Sequence, residues 1–266
     1  MRSSGSARAA PCYKAAVRRL IELPYSPWSE KARWALDHHK LPYERVTYTP
    51  LLGEVGLRLQ TRNFTSRASV PTLIDEDGEV YADSLLIAQH ADHIGQGSRL
   101  FPRHLMSDIE RWSTEGEWGL AAGRGLVLAA VRTDDEAQRE LVPSAIPGPL
   151  RGVAQPLALL GVAFLSWKYG LDETATPTVL TERLEKMLAA LRRQLGNKHY
   201  VLGEFSYADI AMAAALHFLS PPSDEWMHLG PGTRRTFTRP ELAERYRDLL
   251  GWRDKLYAER RTGPRA

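Results

Sequence analysis

A serine and a proline stand where a predicted strand ends and a predicted helix begins. Ser26 follows the strand-like segment 18–23 and precedes the helix-like segment 29–39, with Pro27 next to it. Serine favours the N-cap of a helix and proline its first turn, so the simplest interpretation is that Ser26 caps the helix. The same geometry also places a hydroxyl beside the positive end of a helix. There it can stabilise an anion, including a thiolate.

Two later segments have the groups needed to hold the charged ends of an amino acid. Val70 and Pro71 open the strand-like segment 70–75, where the backbone can be exposed to a ligand. Asp83 and Ser84 begin the next predicted helix. A carboxylate, a hydroxyl and free backbone N–H groups can together hold an ammonium and a carboxylate group. Plain helix capping is the alternative role for Asp83 and Ser84.

The segments around these residues predict an α/β domain over residues 18–94. Strand-like and helix-like patterns alternate in the order β-α-β-α-β-β-α, which fits a mixed four-stranded sheet covered by helices. A Glu-Asp-Gly sequence at 76–78 indicates a hairpin turn between the last two strands. The expected segments are 18–23, 29–39, 43–49, 51–63, 70–75, 79–81 and 83–93.

The remainder of the chain predicts a second, all-helical domain. Residues 95–102 are rich in Gly, Ser and Pro, as is typical of a linker. From 103 to 260 the apolar residues recur at the helical period, and no strand pattern stands out. We expect residues 1–17 and 261–266 to be tails.

Composition excludes several functional classes. The single cysteine, Cys12, excludes a disulfide framework and a Cys-x-x-Cys redox pair. The net charge of +3 arises from basic residues near both ends, since residues 20–250 carry 25 Lys and Arg against 30 Asp and Glu. An acidic body argues against nucleic-acid binding. His90 and His93 lie three apart, but no further ligand accompanies them, so no metal site is expected.

One apolar stretch, 152–167, needs an explanation. Its 16 residues include Gln155 and Pro156 and fall short of the ~20 that span a bilayer. We therefore expect a buried or partner-covered helix and a cytoplasmic protein without a transmembrane span. Residues 1–17 have no acidic side chain, which fits a transit peptide, a disordered tail or an upstream start equally.

Four motifs in chain order resemble the glutathione transferase superfamily, and the resemblance covers roughly residues 18–260. A set of four ordered motifs is far more specific than any one of them. They are Ser26-Pro27-Trp28-Ser29-x-Lys31-x-Arg33, Val70-Pro71-x-Leu73, Asp83-Ser84, and the segment Leu202-Gly203-Glu204-Phe205-Ser206-Tyr207-Ala208-Asp209-Ile210-Ala211.

The resemblance implies a thioredoxin-like domain that binds glutathione, joined to a helical domain that shapes the site for the second substrate. It implies that Ser26 stands at the catalytic position and that Pro71 is a cis-proline. Val70 is then the backbone partner of the cysteinyl unit, and Asp83 and Ser84 hold the γ-glutamyl end.

Aromatic and capping residues follow the same resemblance. Trp28, Trp112 and Trp118 could line the pocket for the electrophile, although core packing is the commoner role of tryptophan. Ser206 and Asp209 form a Ser-x-x-Asp variant of the capping box, whose role is structural.

The chain departs from the family pattern at the glycine end of glutathione. Many relatives have a basic residue there, whereas Tyr48 and Ser69 occupy those positions here. Arg62 and Arg67 are nearby substitutes. The stretch 135–175 is interpreted as an addition over the second-substrate pocket.

These features predict a glutathione transferase of the serine type. Its substrates would be glutathione and a small hydrophobic electrophile, no metal would be needed, and the assembly would be a homodimer. Two alternatives stay open: a glutathione-dependent isomerase or lyase on the same scaffold, and a non-catalytic ligand-binding or interaction protein.

Overall fold

The computed structural model describes residues 17–65, 68–142, 146, 154–170 and 175–263. The elements of the first half follow the predicted order, and each matches its predicted segment to within three residues at either end. They are β1 (Arg19–Glu22), α1 (Pro27–His38), β2 (Glu44–Thr47), α2 (Glu54–Thr61), β3 (Thr72–Ile74), β4 (Val80–Ala82) and α3 (Ser84–Ile94).

The four strands form one mixed sheet in the order β2-β1-β3-β4. β1 pairs parallel to β2 and antiparallel to β3, and β3 pairs antiparallel to β4. Because successive side chains on a strand point to opposite faces, Leu20 and Leu73 join one apolar cluster and Ile21 and Ile74 another. The first cluster includes residues of α1 and α3, and the second includes Leu57 of α2. This is the predicted sheet with helices on both faces.

Within its described residues, the second half contains helices and turns but no strand, as predicted. A short 3₁₀ turn at Arg103–Leu105 leads into the first of these helices, and another follows α8 at Leu216–Phe218. The helices are α4 (Met106–Val131), α5 (Asp135–Glu140), α6 (Gln155–Lys168), α7 (Pro177–Leu195), α8 (Tyr207–Ala215), α9 (Pro231–Phe237), α10 (Pro240–Arg245) and α11 (Arg247–Arg260).

The central helix α4 packs closely against the 3₁₀ turn that follows α8. A Cβ atom at Gly123 would lie 2.4 Å from the ring of Phe218, so only glycine permits this approach. The Phe218 ring in turn stacks on Phe237 of α9 at a centroid distance of 5.3 Å. The glycine therefore sets where these aromatic rings stand relative to α4.

The buried helix α8 begins at a capping box. The carboxylate of Asp209 accepts hydrogen bonds from the backbone N–H groups of Ser206 at 2.9 Å and Val201 at 2.8 Å. Asp209 is fully buried, and burial raises its pKa to about 6. The box thus ties the start of α8 to the segment that follows α7.

The end of the described chain is joined to the first domain by buried charges. The guanidinium of Arg261 pairs with Glu30 at 2.7 Å and with Asp37 at 2.6 Å, both on α1. Residue 261 was expected to begin a tail, but its side chain is buried. Buried carboxylates require such counter-charges, and periodicity in the sequence does not reveal them.

The apolar segment 152–167 contributes helix α6, as predicted, but only one face of α6 is buried. Ala158 and Val162 pack inward, whereas Leu160 and Trp167 are 58% and 68% exposed. Lys168 at its end is buried against the first domain. No helix in the described parts of the chain has the length and apolar character needed to cross a membrane.

Candidate functional site

A cavity of about 340 Å³ lies between the two domains. Its volume is within the range of small-molecule sites. The first domain contributes one wall, at the start of α1, the turn before β3 and the start of α3. The helical domain contributes the other wall, through α4, α6, α9 and the turn that contains Phe218.

Ser26 lies at the N-terminus of α1 and lines the cavity. Its backbone carbonyl accepts from the Glu30 N–H at 3.0 Å, and Pro27 is the first helical residue. Its side chain, however, makes no capping hydrogen bond. The backbone of Ser26 therefore starts the helix without a capping bond from its hydroxyl, which lies at the positive helix end.

Val70 and Pro71 line the same wall, and the peptide bond between them is cis. β3 begins only at Thr72, so the strand ladder does not use the backbone of Val70. The carbonyl of Pro71 accepts from the N–H of Asp83 at 3.2 Å. This bond brings the Val70-Pro71 segment and the Asp83-Ser84 segment together.

Asp83 and Ser84 complete the wall at the start of α3. Asp83 has φ of 102°, a conformation that costs a non-glycine residue about 1–3 kcal/mol and that clusters at ligand sites. Its carboxylate accepts from the Leu85 N–H at 2.6 Å and so caps α3. The Ser84 hydroxyl is buried beside the Tyr207 hydroxyl, and neither forms a hydrogen bond of good geometry within the described residues. A buried orphan hydroxyl at a helix N-terminus fits an anionic ligand group.

The three tryptophans occupy different environments. Trp28 lines the cavity, and its Nε1 donates to Glu117 Oε2 at 2.7 Å. Trp112 is buried in the core and Trp118 is 68% exposed; neither lines the cavity. The helix explains this, because the face of α4 toward the cavity carries residues 117, 121, 124, 127, 128 and 131. Trp118 is rotated about 100° from Glu117, and Trp112 also lies off that stripe.

That stripe of α4 carries two charged residues that motif analysis missed. Arg124 lies over the ring of Trp28, with 4.7 Å from Cζ to the ring centroid. Glu117 binds both Trp28 and the buried ammonium of Lys31. The sequence feature that could have identified them is a Glu and an Arg seven residues apart on an otherwise apolar helix face.

The glycine end of the expected site contains an unexpected lysine. Tyr48 donates to Glu54 at 3.0 Å, and Lys168 of α6 binds Tyr48 at 3.1 Å and Glu54 at 2.6 Å. Ser69 lines the cavity, whereas Arg62 is exposed and does not. Arg67 lies outside the described residues. The helical domain thus brings a cation next to the position where relatives have one in the first domain.

The remaining candidates have structural partners or fall outside the description. His90 binds Asp75 at 2.6 Å. Across the described residues, no group of three or more His, Cys, Asp or Glu is placed to hold a metal ion. Cys12 lies outside the described residues.

Comparison with family models gives two matches. The model of the glutathione S-transferase N-terminal domain matches residues 25–94, and the model of its C-terminal domain matches residues 136–255. No curated protein matches the chain.

Solved structures resemble the whole fold. A glutathione S-transferase from Methylobacillus flagellatus KT with glutathione bound is 17% identical, with a TM-score of 0.60, covering 91% of this chain and 95% of the other. One from Methylobacterium radiotolerans, in complex with glutathione sulfonate, is 21% identical, with a TM-score of 0.54 and coverage of 94% and 95%. The β-etherase LigF from Sphingobium sp. strain SYK-6 is 15% identical, with a TM-score of 0.57 and coverage of 91% and 96%. At these identities the likeness concerns the fold.

Proposed function

This chain belongs to the glutathione S-transferase family, and we propose that it transfers glutathione to a hydrophobic electrophile, with Ser26 stabilising the thiolate. The observation that carries the proposal is the Ser26 hydroxyl. It lies at the N-terminus of α1, is not used as a cap, and lines the same cavity as Val70, Asp83 and Ser84.

The energy required of Ser26 is within reach of one hydroxyl. A free thiol with a pKa of about 8.5 is only about 3% thiolate at pH 7. Lowering its pKa by about two units requires about 2.7 kcal/mol of preferential stabilisation. A hydrogen bond to a charged group contributes about 1.5–3 kcal/mol, and the helix terminus adds about 0.3–1 kcal/mol.

The other residues of this wall would orient the tripeptide. The backbone of Val70, left free by the sheet, would pair with the cysteinyl unit. Asp83 would bind the γ-glutamyl ammonium, and the orphan hydroxyl of Ser84 would bind its carboxylate. In the reaction the sulfur forms a bond to the electrophilic carbon, the leaving group departs with its electron pair, and the thiol proton passes to solvent.

Calorimetric titration with glutathione tests the binding site. We expect micromolar-to-millimolar binding by the wild type and a loss of about tenfold or more in Asp83→Ala. Asp134→Ala is the matched control, since Asp134 is also an N-cap carboxylate but does not line the cavity. If Asp83→Ala bound glutathione like the wild type, the assignment of Asp83 would be wrong.

Displacement of an aryl ether is a second candidate reaction, suggested by the fold shared with a β-etherase. The step is the same attack by thiolate, with an aryloxide as the leaving group instead of a halide. A panel of aryl halides and β-aryl ethers separates the two reactions. A non-catalytic ligand-binding protein would turn over neither class, and it would bind apolar ligands without a requirement for glutathione.

We also propose a homodimer, on the basis of apolar side chains exposed along α2 and just before and after it. Leu52, Val55, Leu59 and Phe64 are each at least 60% exposed. A cluster of this kind marks an interaction surface. Sedimentation equilibrium should give twice the chain mass of 29.9 kDa for the wild type and a shift toward monomer for Leu59→Glu. A monomeric wild type at micromolar concentration would contradict the proposal.

A further inference from the structure

Among the described residues that line the cavity, the helical domain contributes one cation. Arg124 of α4 lies where three elements meet. Its Cζ atom is 4.7 Å from the ring centroid of Trp28 on α1 and 4.2 Å from that of Tyr169, which follows α6. All three residues line the cavity. The two rings therefore hold the guanidinium at the boundary between the domains.

This guanidinium has no acceptor in the described part of the protein. Its Nε is buried without a hydrogen-bond partner, and no ion pair to Arg124 is formed among the described residues. Cation–π contacts position the group but use none of its five N–H donors. An arginine stays protonated even where burial lowers its pKa, as it does here. The cavity thus contains a partly buried positive charge whose donors have no acceptor among the described residues.

The acid on the same helix face forms its hydrogen bonds with other donors. Glu117 lies seven residues before Arg124, but one carboxylate oxygen binds Trp28 Nε1 and the other binds Lys31 Nζ. Lys31 is itself fully buried and has its charge matched by Glu117. Arg124 is therefore left as the unmatched member of this cluster.

The cavity wall around Arg124 is apolar. Val127, Leu128, Leu165, Phe218 and Phe237 line it. A ligand that complements this wall has an apolar body and one anionic group. A carboxylate suits the planar fork of a guanidinium, because the two can form a pair of parallel hydrogen bonds.

We propose that Arg124 binds a carboxylate on the second substrate, so that the enzyme prefers anionic electrophiles with an apolar body over neutral ones. This inference rests on the proposed glutathione transfer, of which it names the substrate class. Arg124 then determines specificity, whereas Ser26 serves every electrophile alike.

Two matched electrophiles test the inference: 4-chloro-3,5-dinitrobenzoate and its methyl ester. In both, the glutathione sulfur bonds to the ring carbon and chloride leaves with the electron pair of the C–Cl bond. They differ in charge, and dividing each kcat/KM by the uncatalysed rate constant with glutathione removes their difference in intrinsic reactivity. We expect the wild type to favour the benzoate after this correction.

The decisive variant is Arg124→Met, which keeps the apolar contacts and removes the charge. We expect its kcat/KM to fall about 10- to 100-fold for the benzoate, mainly through KM, and to change less than about threefold for the ester. Arg124→Lys should retain part of the preference, since a point charge lacks the planar fork. Arg111→Met is the matched control: Arg111 is on the same helix and lies 5.3 Å from the ring centroid of Trp112, but it is exposed and pairs with Asp108.

The outcomes separate this inference from the proposed function. An equal loss for benzoate and ester, or a loss confined to the KM for glutathione, would overturn the role of Arg124 while leaving glutathione transfer intact. If the wild type turned over neither compound, the proposed glutathione transfer to these aryl halides would be wrong. The role of Arg124 could still be tested by measuring, through tryptophan fluorescence, the binding of the unreactive 3,5-dinitrobenzoate. Binding that weakens at least tenfold in Arg124→Met supports the carboxylate site, and unchanged binding refutes it. Thermal unfolding and glutathione titration of each variant establish that it is folded.

Discussion

The two walls of the cavity are built on different principles. On the first wall, Ser26, Val70, Asp83 and Ser84 all lie at junctions between strands and helices, and the groups available to a ligand are backbone groups and small polar side chains. The second wall is the apolar face of several helices, with Arg124 as a charge that has no ion-pair partner among the described residues. The first is suited to a ligand of fixed shape, and the second to a ligand selected by its apolar surface and charge.

This contrast teaches how one scaffold can combine a constant substrate with a variable one. Junction residues are held by the sheet, so their geometry changes little when surrounding side chains change. Helix faces present side chains alone, and a single substitution there alters the shape or charge of the site. Changes to the first wall should therefore affect every reaction of the enzyme, and changes to the second should affect some substrates more than others.

The largest effect is expected from the buried support of the helical wall. Asp209→Ala should lower the free energy of unfolding by about 2–5 kcal/mol, because two buried N–H groups lose their acceptor at about 1–3 kcal/mol each. Urea denaturation measures the loss. Asp108→Ala, an exposed acid on α4, should stay within about 0.5 kcal/mol of the wild type. Similar values for both variants would show that the capping box does not support the wall.

Ser26→Ala is the sharpest test of the first wall. It should lower kcat/KM about 10- to 100-fold, by removing a hydrogen bond to the thiolate worth about 1.5–3 kcal/mol. The loss should be the same for the benzoate and for its ester. Ser98→Ala, which alters only an exposed serine bonded to His38, is the control. A loss that depended on the electrophile would mean that the two walls do not act separately.

Lys168 and Glu54 form a contact between α6 of the helical domain and α2 of the first domain, and its contribution to stability can be measured. Lys168→Met leaves Glu54 without its ammonium, and Glu54→Gln removes a carboxylate acceptor from the buried ammonium of Lys168. Since Glu54 is partly solvated, we expect each variant to lose about 1–3 kcal/mol of stability, with the double variant losing less than the sum of the two. Additive losses would contradict the pairing. If α6 moves as a result, the KM for the electrophile should rise more than the KM for glutathione.

The smallest expected effect is a dependence of stability on pH behind the helical wall. Burial lowers the pKa of His217 to about 3, so the folded state keeps it neutral while the unfolded state protonates below about pH 6.5. The stability contribution is fully present above pH 6.5 and falls by at most about 1.4 kcal/mol per pH unit below it. The Arg261 and Arg33 guanidinium groups hold the pKa of Glu30 at about 2, which adds a further loss below about pH 4.5.

Urea titrations between pH 7 and pH 5 check the histidine. His217→Gln should show a shallower decline in stability than the wild type over that interval, whatever its stability at pH 7. An equally steep decline in the variant would assign the effect to another group, such as His38, whose pKa burial also lowers.

Local motifs determined much of the first domain. Its strand and helix order follows from alternation and turn signals over a few residues, and the structure has that order. Ser26, Pro71 and Asp83 could be singled out because each belongs to a short motif at the junction of two elements. Even there the sequence left open whether the Ser26 hydroxyl caps α1 or faces a ligand. Only the folded protein shows that the Ser26 side chain makes no capping hydrogen bond.

The helical wall shows the opposite case. Helical period predicts that α4 is a helix, but which residues face the cavity depends on how α4 rotates against its neighbours. Trp112 and Trp118 therefore fell on other faces, and Arg124, which no motif marks, fell on the cavity stripe. Tyr169 meets Arg124 across 45 positions of sequence, and Lys168 meets Glu54 across 114.

The sequence by itself therefore determined the family pattern, the order of elements in the first domain and the all-helical character of the second, and it predicts which junction residues form the first wall. The tertiary structure alone decided the charge and shape of the second wall. The physical reason is that a junction motif is specified by interactions within a few residues, whereas a cavity between helices is specified by side chains that meet only after distant helices have packed.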